Sequence, residues 1–98
     1  MRKIVRPLPE FTKWLNSLDG QARGRISARL TKVSRGLTGD VKPVGDGVFE
    51  LREHFGPGYR MYFLEREKVM VIMLGRGTKR TQTGDIEKAK SLARDLEE

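Results

Sequence analysis

Ninety-eight residues with no cysteine, a single histidine and a formal net charge of +7 describe one domain, residues 1–98, with a modest core. That composition excludes disulfides and thiolate metal sites, and one histidine leaves little for a His-ligated metal. No apolar run reaches the roughly 18 residues of a membrane span, and the basic start MRKIVRPLPE has no signal-peptide core; the expectation is a cytoplasmic protein with no membrane association and no cofactor.

The positive charge is uneven along the chain. Residues 1–39 hold nine Lys/Arg against two acids, Glu10 and Asp19, whereas residues 40–98 hold eleven of each. One-sided charge of this kind favours nucleic acid or another acidic partner over a merely solubilising surface.

In chain order, Lys3-Ile4-Val5-Arg6 is a short strand stopped by Pro7 and Pro9, and its charge suits a sheet edge. Pro9 fits the first position of a helix and Glu10 its N-terminal turn. Phe11, Trp14, Leu15 and Leu18 then fall at the spacing of one helical face. Asp19-Gly20 ends that helix, and Asp19 caps a second, from about Gln21 to Arg35, whose stripe is Ala22, Ile26, Leu30 and Val33. Gly36 stops it. The short link makes the two an antiparallel hairpin. Beside the stripe, Arg25, Arg29 and Lys32 form a basic ridge without an acid at i±4, which an ordinary solvated face would contain.

A loop around Lys42-Pro43-Val44 leads into the stretch on which the chain is organised, Val48–Gly75. Three apolar runs are split there by Gly56-Pro57-Gly58 and by Glu65-Arg66-Glu67-Lys68, the pattern of three consecutive antiparallel strands. The last run, Val69–Leu74, is apolar on both faces and belongs inside the sheet. Ile86, Ala89, Ala93 and Leu96 mark a final helix that Thr81, Thr83 or Asp85 caps. The order is β-α-α-β-β-β-α, an α+β fold with a helical hairpin on a small antiparallel sheet.

These residues resemble a known group. GVFELREHFGPGYRMYF followed by MLGRGTKRTQTGDIEKAK, with the early Phe11-x-x-Trp14-Leu15, Gly39-Asp40-x-Lys42 and Asp85-Ile86-x-x-Ala89, looks like the phage-type addiction module killer proteins, a HigB-like branch of the RelE/ParE toxin superfamily. The resemblance covers nearly the whole chain and implies the RelE-like form of the topology just read. It further implies a metal-independent, ribosome-dependent mRNA endonuclease (an mRNA interferase) that inhibits translation by cutting the A-site codon. The implied partners are the ribosome, mRNA and a cognate antitoxin, commonly a helix-turn-helix protein. Two alternatives share the fold: a ParE-like inhibitor of DNA gyrase and a non-catalytic binding module.

RNA cleavage by 2′-OH attack on the adjacent phosphate needs a proton acceptor, a proton donor and cations for the charge that builds on the phosphoryl oxygens. Arginine suits the last role because its planar fork can bind phosphate bidentately. Arg60 matches the family's strand arginine, and Arg52 is the second choice; they share a sheet face only if the hairpin register pairs them with even parity. Lys79 matches the lysine of the family's Gly-Gly-Asp-Lys loop. Here the loop reads Arg76-Gly77-Thr78-Lys79, one positive charge gained and one negative lost, so Arg76 and Arg80 can share the role of Lys79. For the proton shuttle His54 has the right intrinsic pKa and shares strand parity with Arg52, while Asp85 reads as a helix cap rather than a base. Tyr59 and Tyr62 could stack on a base, although strand aromatics are more often core. The ridge Arg25, Arg29 and Lys32 would meet rRNA phosphates or an acidic antitoxin segment.

Overall fold

The computed structural model describes residues 2–96. Strand β1 (Ile4–Pro7) is followed by helices α1 (Pro9–Ser17) and α2 (Gly20–Ser34), strands β2 (Val41–Gly45), β3 (Val48–Arg52), β4 (Tyr59–Arg66) and β5 (Met70–Thr78), a single 3-10 turn (Lys79–Thr81) and helix α3 (Gln82–Leu96). The expected α+β order therefore holds, with one added strand. The Lys42-Pro43-Val44 segment is not a loop but β2. It pairs antiparallel with β3, and its proline is tolerated because it lies on an edge strand.

The five strands lie in the order β1-β5-β4-β3-β2. All neighbours are antiparallel except β1, which runs parallel to β5 from Ile4 opposite Met70 to Pro7 opposite Met73. Both edge strands thus carry a proline, Pro7 and Pro43, which blunts them against pairing with other chains. The interior position expected for β5 is explained by its burial: Val71, Ile72, Met73 and Leu74 are all covered, by helices on alternate faces.

Local chemistry sets the helix ends as the residues suggest. Pro9 opens α1. The Asp19 carboxylate accepts from the Ala22 N–H at 2.9 Å and caps α2, and Gly36, at φ 84°, turns the chain out of it. At the start of α3 none of the three proposed caps acts alone. Instead the side chain of Thr81 accepts from the Thr78 N–H at 3.1 Å and donates to Asp85.

The hairpin α1–α2 covers one sheet face. Phe11, Ile26 and Val33 pack there on Leu51, Met61, Phe63, Val71 and Met73, with Trp14, Leu15, Leu18 and Leu30 around them. Helix α3 covers the opposite face, laying Ala89 and Ala93 on Tyr62, Ile72 and Leu74. Small residues on α3 let it approach closely. The tightest point is Gly77, which is buried: an added Cβ there would fall inside the Asp85 carboxylate. A side chain at 77 therefore requires the Asp85 carboxylate, with its bond from Thr81, to move.

Gly77→Ala should lose about 1–3 kcal/mol in urea unfolding, the usual cost of overpacking. In an Asp85→Ala background the same change should cost much less; equal costs in both backgrounds would show that the two positions do not collide.

Candidate functional site

The sequence left the register of β3 and β4 open, and the structure settles it. Arg52 lies directly opposite Arg60, Glu50 opposite Tyr62, and Arg60 opposite Gly77 of β5. Lys79 follows β5 by one residue. Arg52, Arg60 and Lys79, with His54 just past β3, therefore gather at one end of the sheet.

The two arginines differ in state. Arg60 is only 2% exposed. Its Nη1 donates to the carbonyls of Glu53, Tyr59 and Gly58 at 3.0, 3.2 and 3.3 Å, and its Nε has no partner. It cinches the turn between β3 and β4 from beneath rather than forming an ion pair with Glu50 or Glu53. The Lys79 N–H donates to the Gly58 carbonyl at 2.8 Å and ties the same turn to the end of β5. Arg52, with 34% of its side chain exposed, reaches the surface, as do Lys79 and Arg80.

Like charges directly opposite on a sheet repel, and a buried acid offsets them here. Glu50 is fully buried. Its Oε2 accepts from the Tyr62 hydroxyl at 3.0 Å and from the Gln82 amide at 2.7 Å, and its Oε1 stands 3.7 Å from Arg52 Nε. Burial, then the charge of Glu50 and the hydrogen bond to it, push the Tyr62 hydroxyl far above its ordinary value of 10.0. Tyr62 therefore stays protonated as a donor, and being wholly buried it has no face for a base to stack on. Sequence reasoning missed Glu50, Tyr62 and Gln82 as a unit. The available signal was an acid, Glu50, inside an apolar strand.

His54 is not on the strand ladder, as parity with Arg52 had suggested. It lies beyond the end of β3, exposed, with Nε2 2.6 Å from Asp40 Oδ2. That bond, followed by the positive charges of Arg52, His54 and Arg29, lowers the Asp40 carboxyl below its ordinary value. In the neutral ring, the Asp40 acceptor places the proton on Nε2 and leaves Nδ1 with a free lone pair.

Of the basic ridge expected on α2, one member is taken up by the fold. Arg29 uses all five N–H donors: Nε and Nη2 on Thr38 O at 3.2 and 2.8 Å, Nη2 also on Asp40 O at 2.9 Å, and Nη1 on Arg52 O at 2.9 Å and on the Glu53 carboxylate. Arg25 lies over the Phe55 ring, 3.9 Å from its centroid. Of the three, Arg25 and Lys32 are exposed. Arg76 pairs in register with Met61 and so stands on the hairpin side of the sheet, beside Glu10 and Trp14, away from Arg52 and Arg60. Among the described residues no three His, Asp or Glu side chains converge as metal ligands would, and no helix is long and apolar enough to cross a membrane.

Asp40 should titrate below 3.8 by NMR in the folded protein and move back towards that value in His54→Ala. With the folded-state value depressed, the pair's stabilisation is present above the unfolded value and is lost as pH falls through the folded one. An Asp40 titration unaffected by His54→Ala would mean that the contact does not persist in solution.

Comparison with known proteins agrees with the fold. Residues 13–96 match the family model described as phage derived protein Gp49-like (DUF891). An uncharacterized protein of Haemophilus influenzae (strain Rd) is 45% identical over 87 residues, covering 88% of each chain. Among solved structures, a mutant of the Escherichia coli toxin RelE in the free state superposes with a TM-score of 0.75 at 18% identity, over 93% of this chain and 97% of that one. The chain thus belongs to the phage-derived Gp49-like family and carries the RelE fold, as the residues of its sheet and last loop suggested.

Proposed function

We propose that this protein is the toxin of a type II toxin–antitoxin module and acts as a HigB-like, ribosome-dependent mRNA endonuclease. The observation that carries the reading is the convergence of Arg52, Arg60, Lys79 and His54 at one end of a RelE-type sheet. The fold by itself would not suffice, because function lives in sites placed on folds.

The chemistry follows from the positions. The 2′-hydroxyl of an A-site nucleotide attacks its own 3′-phosphate, and the 5′-oxygen of the next nucleotide leaves. His54, its Nε2 held by Asp40, presents Nδ1 to take the hydroxyl proton and later returns one to the leaving oxygen. Arg52 and Lys79, both at the surface, meet the phosphoryl oxygens as negative charge builds. Arg60 adds its charge from just below and fixes the turn that Lys79 contacts. Arg80 extends the cationic end. Broad contact with rRNA phosphates falls to the exposed Lys13, Arg23, Arg25, Lys32 and Arg35 rather than to Arg29. An acidic, helix-turn-helix-type antitoxin would compete for the same basic surface, and a toxin working on ribosomes acts in the cytoplasm.

The test is primer extension on a reporter mRNA with purified protein and programmed ribosomes. Cuts within A-site codons are expected, and none in naked mRNA. Lys79→Ala, a surface change that leaves thermal unfolding in place, and Arg52→Ala, assayed at a temperature where the variant is still folded, should each slow cleavage by about 100-fold or more. Intact mRNA with folded protein, or full activity in both variants, would overturn the proposal.

A further inference from the structure

Between the first turns of α2 and the turn joining β3 to β4 lies an open cleft of about 290 Å³, walled by Gln21, Arg25, Phe55, Gly56 and Tyr59, with Asp19 at its rim. We propose that this cleft is a nucleobase subsite selective for guanine. The proposal rests on the reading of the protein as an RNA-cleaving enzyme and names which base it grips.

The walls are flat and braced. Arg25 stacks on Phe55, and Phe55 meets Tyr59 at 5.4 Å between centroids and 60° between planes. Tyr59 is held from behind by Trp14 at 5.9 Å, and Trp14 by Phe11 at 5.3 Å. This row runs from the buried core outward, so its outer members keep their orientation without a ligand. Aromatic rings and guanidinium planes are the surfaces on which proteins stack single-stranded bases. The volume lies at the low end of small-ligand clefts, about 300 Å³ and upward, which suits one base and not a stack of them.

Selectivity comes from Asp19. Its Oδ1 is engaged with the Ala22 N–H, and its other oxygen has no hydrogen-bond partner among the described contacts. One oxygen suffices for the cap and the helix dipole favours the charge, which leaves the second oxygen free to accept. Asp19 is moreover one of two acids in residues 1–39, placed on a surface otherwise suited to RNA, where an idle negative charge repels phosphate. A carboxylate accepts and cannot donate. Guanine is the base whose pairing edge offers two adjacent donors, N1–H and N2–H, whereas adenine and cytosine set an acceptor beside their amino group and uracil flanks its one donor with two carbonyls. Gln21 has a donor and an acceptor for the remaining edge. The cleft also adjoins the cationic end through the chain itself: His54 precedes Phe55 and Arg60 follows Tyr59.

Trp14 is the chain's single tryptophan, and its contact with Tyr59 makes its fluorescence a reporter of the cleft. The probes are uncleavable 2′-O-methyl trinucleotides that differ only in one base, guanine or adenine, with calorimetry run in parallel. Wild type is expected to bind the guanine probe at least tenfold tighter. Asp19→Asn, which keeps the cap, should erase that preference, and Phe55→Ala should weaken both probes by about tenfold, the scale of one lost stacking contact. On programmed ribosomes, Asp19→Asn should flatten the guanine bias of the cut sites. Equal binding of the two probes, no binding of either, or a preference that survives Asp19→Asn would overturn the subsite. Guanine-selective binding without any cleavage would instead overturn the endonuclease reading and leave the subsite standing.

Discussion

The guanidinium of Arg29 is the contact on which the candidate site depends. It leaves α2 and spends every donor it has on groups distant in sequence: the carbonyls of Thr38, Asp40 and Arg52 and the carboxylate of Glu53. Those partners belong to the loop after α2 and to the end of β3. One side chain thus fastens the helical hairpin to the segment that carries Arg52, His54 and the turn beyond. Its side chain is 13% exposed and that of Glu53 15%, so the pair is largely shielded from water. Removing one partner of such a pair strands the other, at a cost on the order of 3–5 kcal/mol. Lysine would keep the charge but not the five-donor fork. Asp40, which orients His54, is held by its carbonyl to the same guanidinium, so the placing of the histidine is inherited from Arg29.

A second constraint works from the other face. Two arginines opposed across a strand pair need a counter-charge, and Glu50 supplies it from a fully buried position beneath α3. Tyr62 and Gln82 satisfy one of its oxygens. Gln82 is the first residue of α3, so the helix start is tied to the charge balance of the sheet. Neutralising Glu50 would leave Arg52 and Arg60 opposed with only loop carbonyls between them. The cationic end is therefore stabilised by groups that a substrate would never touch.

Much of the fold could be read from single residues acting locally. Pro9 at a helix start, Asp19 as a cap, Gly36 as a stop and the apolar spacing of α2 all act within a few residues, and each does what its chemistry predicts. β2 escaped because Lys42 and Pro43 hide a strand whose pairing is made by β3, not by its own residues. The site was legible in composition but not in state. Arg52, Arg60, Lys79 and His54 could be singled out as candidates by residue type and family resemblance. Their exposure was not, because it depends on contacts between residues far apart in the chain. Arg29 and Arg60 count towards the net charge yet are occupied by carbonyls and a carboxylate. A sequence reports how many cations there are, and only the packing reports how many remain for a partner.

The last loop makes the same point in reverse. Relative to the Gly-Gly-Asp-Lys pattern that the chain resembles, Arg76-Gly77-Thr78-Lys79 keeps the second glycine and the lysine and changes the other two. The structure gives a physical reason for each. Gly77 has no alternative while Asp85 lies against its Cα. Arg76 is free to be large because its register position puts it on the hairpin side, where it is exposed. Thr78 exchanges hydrogen bonds with Thr81, through its N–H and hydroxyl, which closes the 3-10 turn without a carboxylate. Lys79 stays outside that closure, exposed, with its N–H on the Gly58 carbonyl. The substitutions fall where the fold tolerates them, and the lysine is delivered to the cationic end by backbone contacts that do not depend on the two replaced side chains.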